Sequence, residues 1–184
     1  MVRSLNKMER EKGFSLIELA IVLVIIGFLM AAVLQGQKVY WNARMNRIVQ
    51  DMKDYRQYFL IYYQTWGMYP GDEDDRNFPP SDSYEGNHNG RIDSAAEAEN
   101  VWEDLNHSMD VVRKNSPVRG GVYEFGSMDF GFGVRNYISV TNIYNRMAEA
   151  IDARHDDGIW NSGNIRSSNP YNGGDDLTIL YWRL

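Results

Sequence analysis

Lys12-Gly13-Phe14-Ser15-Leu16-Ile17-Glu18-Leu19 opens the stretch that decides the architecture, and residues 14–34 read in full FSLIELAIVLVIIGFLMAAVL. Its only side chains that are neither apolar nor glycine are Ser15 and Glu18. As a helix rising about 1.5 Å per residue it covers roughly the 30 Å hydrocarbon core of a bilayer. Upstream, residues 1–13 carry Arg3, Lys7, Arg10 and Lys12 against Glu9 and Glu11. Such a basic flank keeps the start of the chain in the cytoplasm and sends the rest outward. The apolar run is longer than the roughly 7–15 residues of a secretory signal core, and no small-x-small cleavage pattern comes after it. A plain anchor accounts for the length but not for Glu18, because an ionisable group inside a membrane segment is costly and normally has a partner.

The combination of a short charged leader, Gly13-Phe14, Glu18 as the fifth residue beyond Gly13, and the long apolar run resembles the N-terminal signal of type IV prepilins and type II secretion pseudopilins. The resemblance implies cleavage after Gly13 by a prepilin peptidase and methylation of the new N-terminal Phe14. It also implies polymerisation with other pilin or pseudopilin subunits on a membrane assembly platform, in contact with membrane lipid. A buried carboxylate needs a cation, and cleavage creates one in the α-amino group of Phe14. In a filament, Glu18 of one subunit would pair with that amine on a neighbour. Loss of the leader's four basic and two acidic residues takes the formal charge from −6 to −8. One departure from many pilins is the absence of a proline near the end of the apolar segment, where Gln35-Gly36 stands instead.

Beyond Gly36 the apolar residues recur every three or four positions: Met45, Ile48, Val49, Met52, Tyr55, Phe59, Tyr62, Tyr63 and Trp66. That is one face of a continuing helix, with Arg44, Arg47, Asp51, Lys53, Asp54 and Arg56 expected off it. Gly67 and Tyr69-Pro70-Gly71 should end it. The organisation expected is a leader over residues 1–13, a transmembrane helix over 14–34, its amphipathic continuation over 35–66, and an extracytoplasmic head over 67–184.

In the head, Ser94 and Glu97 form a capping-box pattern opening a helix with Ala98, Val101, Trp102, Leu105 and Met109 on one face. Strands are expected over residues 122–125, 130–134, 137–141 and 177–182, a helix over 143–154, and a linker over 165–174. Short strands, tight turns and one long amphipathic helix give an α+β class, pilin-like, with the N-terminal helix packed on an antiparallel sheet. The order of Tyr69-Pro70-Gly71-Asp72, Asn87 to Ile92, Trp102 to Leu105 and Ile151 to Gly158 also resembles a subset of pilin-like proteins.

Composition removes several function classes. With no cysteine there are no disulfides, thiolate catalysis or Cys-based zinc sites. Residues 68–110 hold twelve Asp/Glu against Arg76 and Arg91, a surface that repels phosphate backbones, so no nucleic-acid partner is expected. Five tryptophans and twelve tyrosines against five prolines mark a folded domain. His88, His107 and His155 have no zinc-like spacing, and no nucleophile motif or phosphate loop is present, so catalysis is not expected. Glu85-x-Asn87-x-Asn89-Gly90-x-Ile92-Asp93 has the alternating oxygen donors and central glycine of a calcium loop, with Glu85, Asn87, Asn89 and Asp93 as ligands. It departs at its end, where Ala96 stands and Glu97 comes one residue late. The competing reading is a metal-free Asn-Gly turn. Asp156 and Asp157 raise the same choice between a second oxygen site and a solvent-facing turn. The sequence therefore reads as a structural filament subunit anchored in the inner membrane, with its head in the periplasm or outside the cell. The rival is a membrane-tethered extracytoplasmic binding module or hydrolase.

Overall fold

A computed structural model describes residues 13–74 and 86–184. Helix α1 runs Leu16–Trp66, and the chain divides into two compact units, Met1–Asn42 and Ala43–Leu184, to both of which α1 contributes. In the first unit residues 16–42 are helical throughout, Gly27 and Gly36 included, and no described residue up to Tyr40 is buried. This is the one helix among the described residues long and apolar enough to cross a membrane.

In the second unit the helix turns one face inward. Met45, Ile48, Val49, Met52, Tyr55, Phe59 and Tyr62 are buried, as their spacing predicts, while Tyr63 is exposed and Trp66 half-buried. Each large apolar side chain so covered contributes roughly 1.5–3 kcal/mol. Asp51, placed off this face by its charge, is in fact buried, because the Tyr123 hydroxyl and the Lys114 ammonium meet it. α1 stops where Gly67 adopts φ +77° and its N–H closes on the Tyr63 carbonyl at 2.8 Å.

The remaining elements are α2 (Ala95–Met109), β1 (Tyr123–Asp129), β2 (Val134–Tyr144), α3 (Asn145–His155), β3 (Ile165–Ser167) and β4 (Leu177–Arg183). The strands form one antiparallel sheet in the order β1-β2-β4-β3. This is an α+β, pilin-like arrangement of a long N-terminal helix with a four-stranded antiparallel sheet. The register puts Phe125 opposite Ile138 and Ile138 opposite Trp182, and all three are buried. Tyr55 of α1 lies edge-on to Trp102 of α2 and Tyr123 of β1, at centroid distances of 4.9 and 5.4 Å, and Phe59 stacks on Phe125. This aromatic cluster joins α1, α2 and β1. Across the β1–β2 pair, Tyr137 covers Gly126, where any Cβ would fall 2.5 Å from its hydroxyl.

Several expected boundaries shift for local reasons. Residues 130–133 are the turn between β1 and β2, not a strand, because the Asp129 carboxylate accepts the N–H groups of Gly131 and Gly133 and both glycines take positive φ. β2 runs on to Tyr144 through an irregularity at Asn142 (φ +53°), which delays α3 to Asn145. The Ser/Asn-rich stretch 165–174 is no linker at its start, since β3 pairs there with β4. α2 begins as its sequence predicts, with Ser94 and Glu97 forming a complete capping box.

Candidate functional site

At the N-terminus residues 13–15 lie outside the helix, and Ser15 caps it. The Ser15 carbonyl accepts the Leu19 N–H at 3.2 Å, and its Oγ accepts the Ile17 N–H at 3.3 Å. Glu18 reaches back to accept the Ser15 N–H at 2.8 Å. Ser15 and Glu18 therefore form a reciprocal cap of the kind found at Ser-x-x-Glu, a pattern legible in the sequence but masked there by the charge of Glu18. The Gly13–Phe14 peptide thus stands just ahead of the first helical turn, in non-helical backbone, with Phe14 83% exposed. Nothing lies within 4 Å of the position a Gly13 Cβ would take.

The head gathers its polar motifs into two hydrogen-bonded staples. In the first, buried Asp72 accepts the N–H groups of Asn89 and Gly90 at 3.0 and 2.6 Å, and Gly71 donates to buried Asp104 at 2.5 Å. Gly71 is required where it stands: it takes φ +83°, and a Cβ there would run into the Glu97 carbonyl. Of the expected calcium ligands, Glu85 lies outside the described residues. Asn87, Asn89 and Asp93 are brought together, but the two amides present N–H to Asp93, at 3.3 and 2.7 Å, and Asn87 also donates to Glu97 at 2.8 Å. The Asn87 side-chain oxygen accepts the Asn89 N–H. The Asn87 and Asn89 amides turn their N–H groups towards Asp93 and Glu97 and so tie this loop by hydrogen bonds. Burial pushes Asp72 and Glu97 above the usual carboxylate range, against the pull of the N–H groups each accepts. Asp93 is held lower, chiefly by the Asn89 amide.

The second staple contains Asp152, Asp156 and Asp157, whose nearest oxygens all lie within 4.8 Å of one another. Buried Asp152 accepts from the Tyr171 hydroxyl at 2.7 Å and the Gly158 N–H at 3.2 Å. Asp156 accepts the N–H groups of Asn164 and Ile165, and its carboxylate occupies the space above Gly163. Asp157 accepts the Ile159 N–H at 2.8 Å. The expected solvent-facing turn is therefore a tied one, with the acids spent on closing residues 156–165 and on anchoring the loop that carries Tyr171. Burial pushes Asp152 up, and burial together with the facing Asp152 carboxylate pushes the Tyr171 phenol up.

The N-terminal segment is the part of the chain that a family model matches. Residues 8–34 match the family described as the prokaryotic N-terminal methylation motif. The chain carries a prepilin-type signal. This signal stands ahead of an exposed apolar helix long enough to cross a membrane, a combination that fits an inner-membrane anchored protein. The match covers the signal and its helix, not the head. No curated protein and no solved structure matches the chain.

Proposed function

We propose that this chain is a non-enzymatic structural subunit of a type IV pilus-like or type II secretion pseudopilus filament, cleaved after Gly13 and N-methylated at Phe14. Gly13 is the last leader residue, Phe14 the new N-terminus and Glu18 the assembly residue. The observation that carries the reading is the prepilin-type signal, whose Gly13-Phe14 lies on non-helical backbone directly before the apolar part of α1, residues 16–34, where Glu18 is the single acid. A tethered binding module or hydrolase needs neither Gly13-Phe14 nor Glu18. The head, residues 67–184 with the second half of α1 as its core helix, is assigned to the periplasm or cell exterior. That side is set by the basic leader, which holds the start of the chain inside.

In this reading Glu18 changes partner. Before cleavage it accepts the N–H of Ser15, the residue next to the future amine of Phe14. After cleavage the amine supplies a cation that the carboxylate of a neighbouring subunit meets in an apolar bundle. The experiment is intact mass of the membrane-extracted protein from its native host. The expected first residue is Phe14 carrying one added methyl group; an N-terminus at Met1, or a cut beyond Leu34, refutes the proposal.

A further inference from the structure

A cavity of about 360 Å³ opens on the head, remote in sequence from the N-terminal signal, and Leu60, Tyr69, Arg91, Val134, Arg135 and Asn136 are among its walls. Two of these carry positive charge, and the fold fixes the backbone that bears them. The Asn136 side chain accepts the Ile92 N–H at 3.0 Å and donates to the Gly90 carbonyl at 3.2 Å, clamping both neighbours of Arg91 onto β2 beside Arg135. Asp72 fixes the same loop again through the Gly90 N–H.

Among the described residues neither guanidinium is ion-paired with a carboxylate. The bond that Arg135 makes is to the carbonyl of its neighbour Val134, at 3.0 Å. In a chain with 25 acidic against 19 basic residues, two such guanidiniums on one cavity are out of keeping with the surroundings. An anion held in a cavity lined by two arginines is attracted by both charges. The planar fork of arginine fits a carboxylate through two parallel N–H bonds. The other walls are mixed: Asn89 and Asn136 are polar, while Leu60, Val134 and Leu184 are apolar and the Tyr69 ring stacks on Phe59 and Tyr63 at 5.2 and 4.5 Å.

We propose that this cavity binds a small organic carboxylate, gripped by Arg91 and Arg135, with Tyr69, Leu60 and Val134 covering its apolar body. The assignment is independent of whether the chain polymerises. The test uses the full chain in non-ionic detergent micelles, titrated calorimetrically with benzoate. Benzamide serves as the neutral isostere, and inorganic phosphate as an anion without an apolar body. Benzoate is expected to bind at least about tenfold more tightly than either. Arg91→Gln and Arg135→Gln should each weaken it by about tenfold and the pair should abolish it, while Arg119→Gln, at a distant exposed arginine, leaves it unchanged. Arg91→Lys and Arg135→Lys keep the charge and lose the fork, so they should also weaken benzoate; they read the same point should a glutamine variant fold poorly. Equal affinity for benzamide or phosphate, retained binding in the double variant, or no heat from millimolar benzoate overturns the assignment.

Discussion

Removing the Asp51 carboxylate should cost the head far more than a surface charge would. Asp51 is 5% exposed and accepts two bonds, from the Tyr123 hydroxyl at 3.0 Å and from Lys114 Nζ at 3.1 Å, with Arg47 a further contact at 3.7 Å. Tyr123 is fully buried, so Asp51→Ala strands its hydroxyl without a partner, at about 1–3 kcal/mol. The Lys114 side chain is 44% exposed and regains water, so its lost bond adds only about 0.5 kcal/mol after screening. The total expected is about 2–3 kcal/mol. Tyr123→Phe alone leaves Asp51 paired with Lys114 and should cost about 1 kcal/mol. Because the orphaned hydroxyl disappears in the double variant, Asp51→Ala/Tyr123→Phe should be about 1 kcal/mol less destabilised than the two singles added. The assay is urea unfolding of the four proteins in detergent, followed by tryptophan fluorescence. A loss below about 0.5 kcal/mol for Asp51→Ala, or strict additivity, would show that this buried contact between α1 and β1 does not hold the head together as argued.

Three further outcomes are expected. Glu18→Ala should insert into the membrane as well as the parent, since its segment becomes more apolar, yet fail to enter filaments; normal incorporation in the native host removes the carboxylate as the partner of the Phe14 amine. The melting temperature of the head should be the same in saturating calcium and in chelator, because the carboxylates of both staples already accept N–H or O–H bonds; a rise in calcium makes the loop of Asn87, Asn89 and Asp93, or the Asp152 cluster, a cation site. Acidification should at first stabilise the head. Asp72, Glu97 and Asp152 sit above their ordinary values of 3.8, 4.5 and 3.8, so the folded form holds protons the unfolded chain has released. Stability therefore grows as pH falls through the raised values and levels off near the ordinary ones. His155, held below its ordinary 6.5 by burial, opposes this between pH 7 and 5, so the test is the comparison with Asp152→Asn: that variant should flatten the gain on acidification, and an unchanged pH profile contradicts the raised value of Asp152.

How much of the molecule could be read in the sequence depended on how local the governing physics was. The three-and-four spacing from Met45 to Tyr62 is settled within one helix and stands in the structure as read, and the apolar run is helical from Leu16 on, two residues later than its start at Phe14. The capping box at Ser94 is equally local. Residues 130–133 are misread locally, where Gly131 and Gly133 turn onto Asp129, but the other misread residues depend on distant partners. Asp51 looks like a solvent-facing acid until Lys114 and Tyr123, more than sixty positions on, close over it. Residues 165–167 look like linker because their strand character comes from β4.

The acidic motifs of the head carry the same lesson further. Oxygen donors at alternate positions around Asn87 and paired acids at Asp156 suggest cations when counted along the chain. In three dimensions their counterparts are backbone N–H groups delivered by turns, many of them built on glycines with positive φ, such as Gly71, Gly90 and Gly163. A carboxylate that accepts several such N–H groups fixes a loop as firmly as a bound ion would, without the ion. That gives these motifs a role in a chain with no cysteine, and so no disulfide, to close its loops. The acids at Asp72 and Asp156 do the closing, and the loop that Asp72 closes is the one whose Gly90 and Ile92, on either side of Arg91, bond to Asn136 of β2.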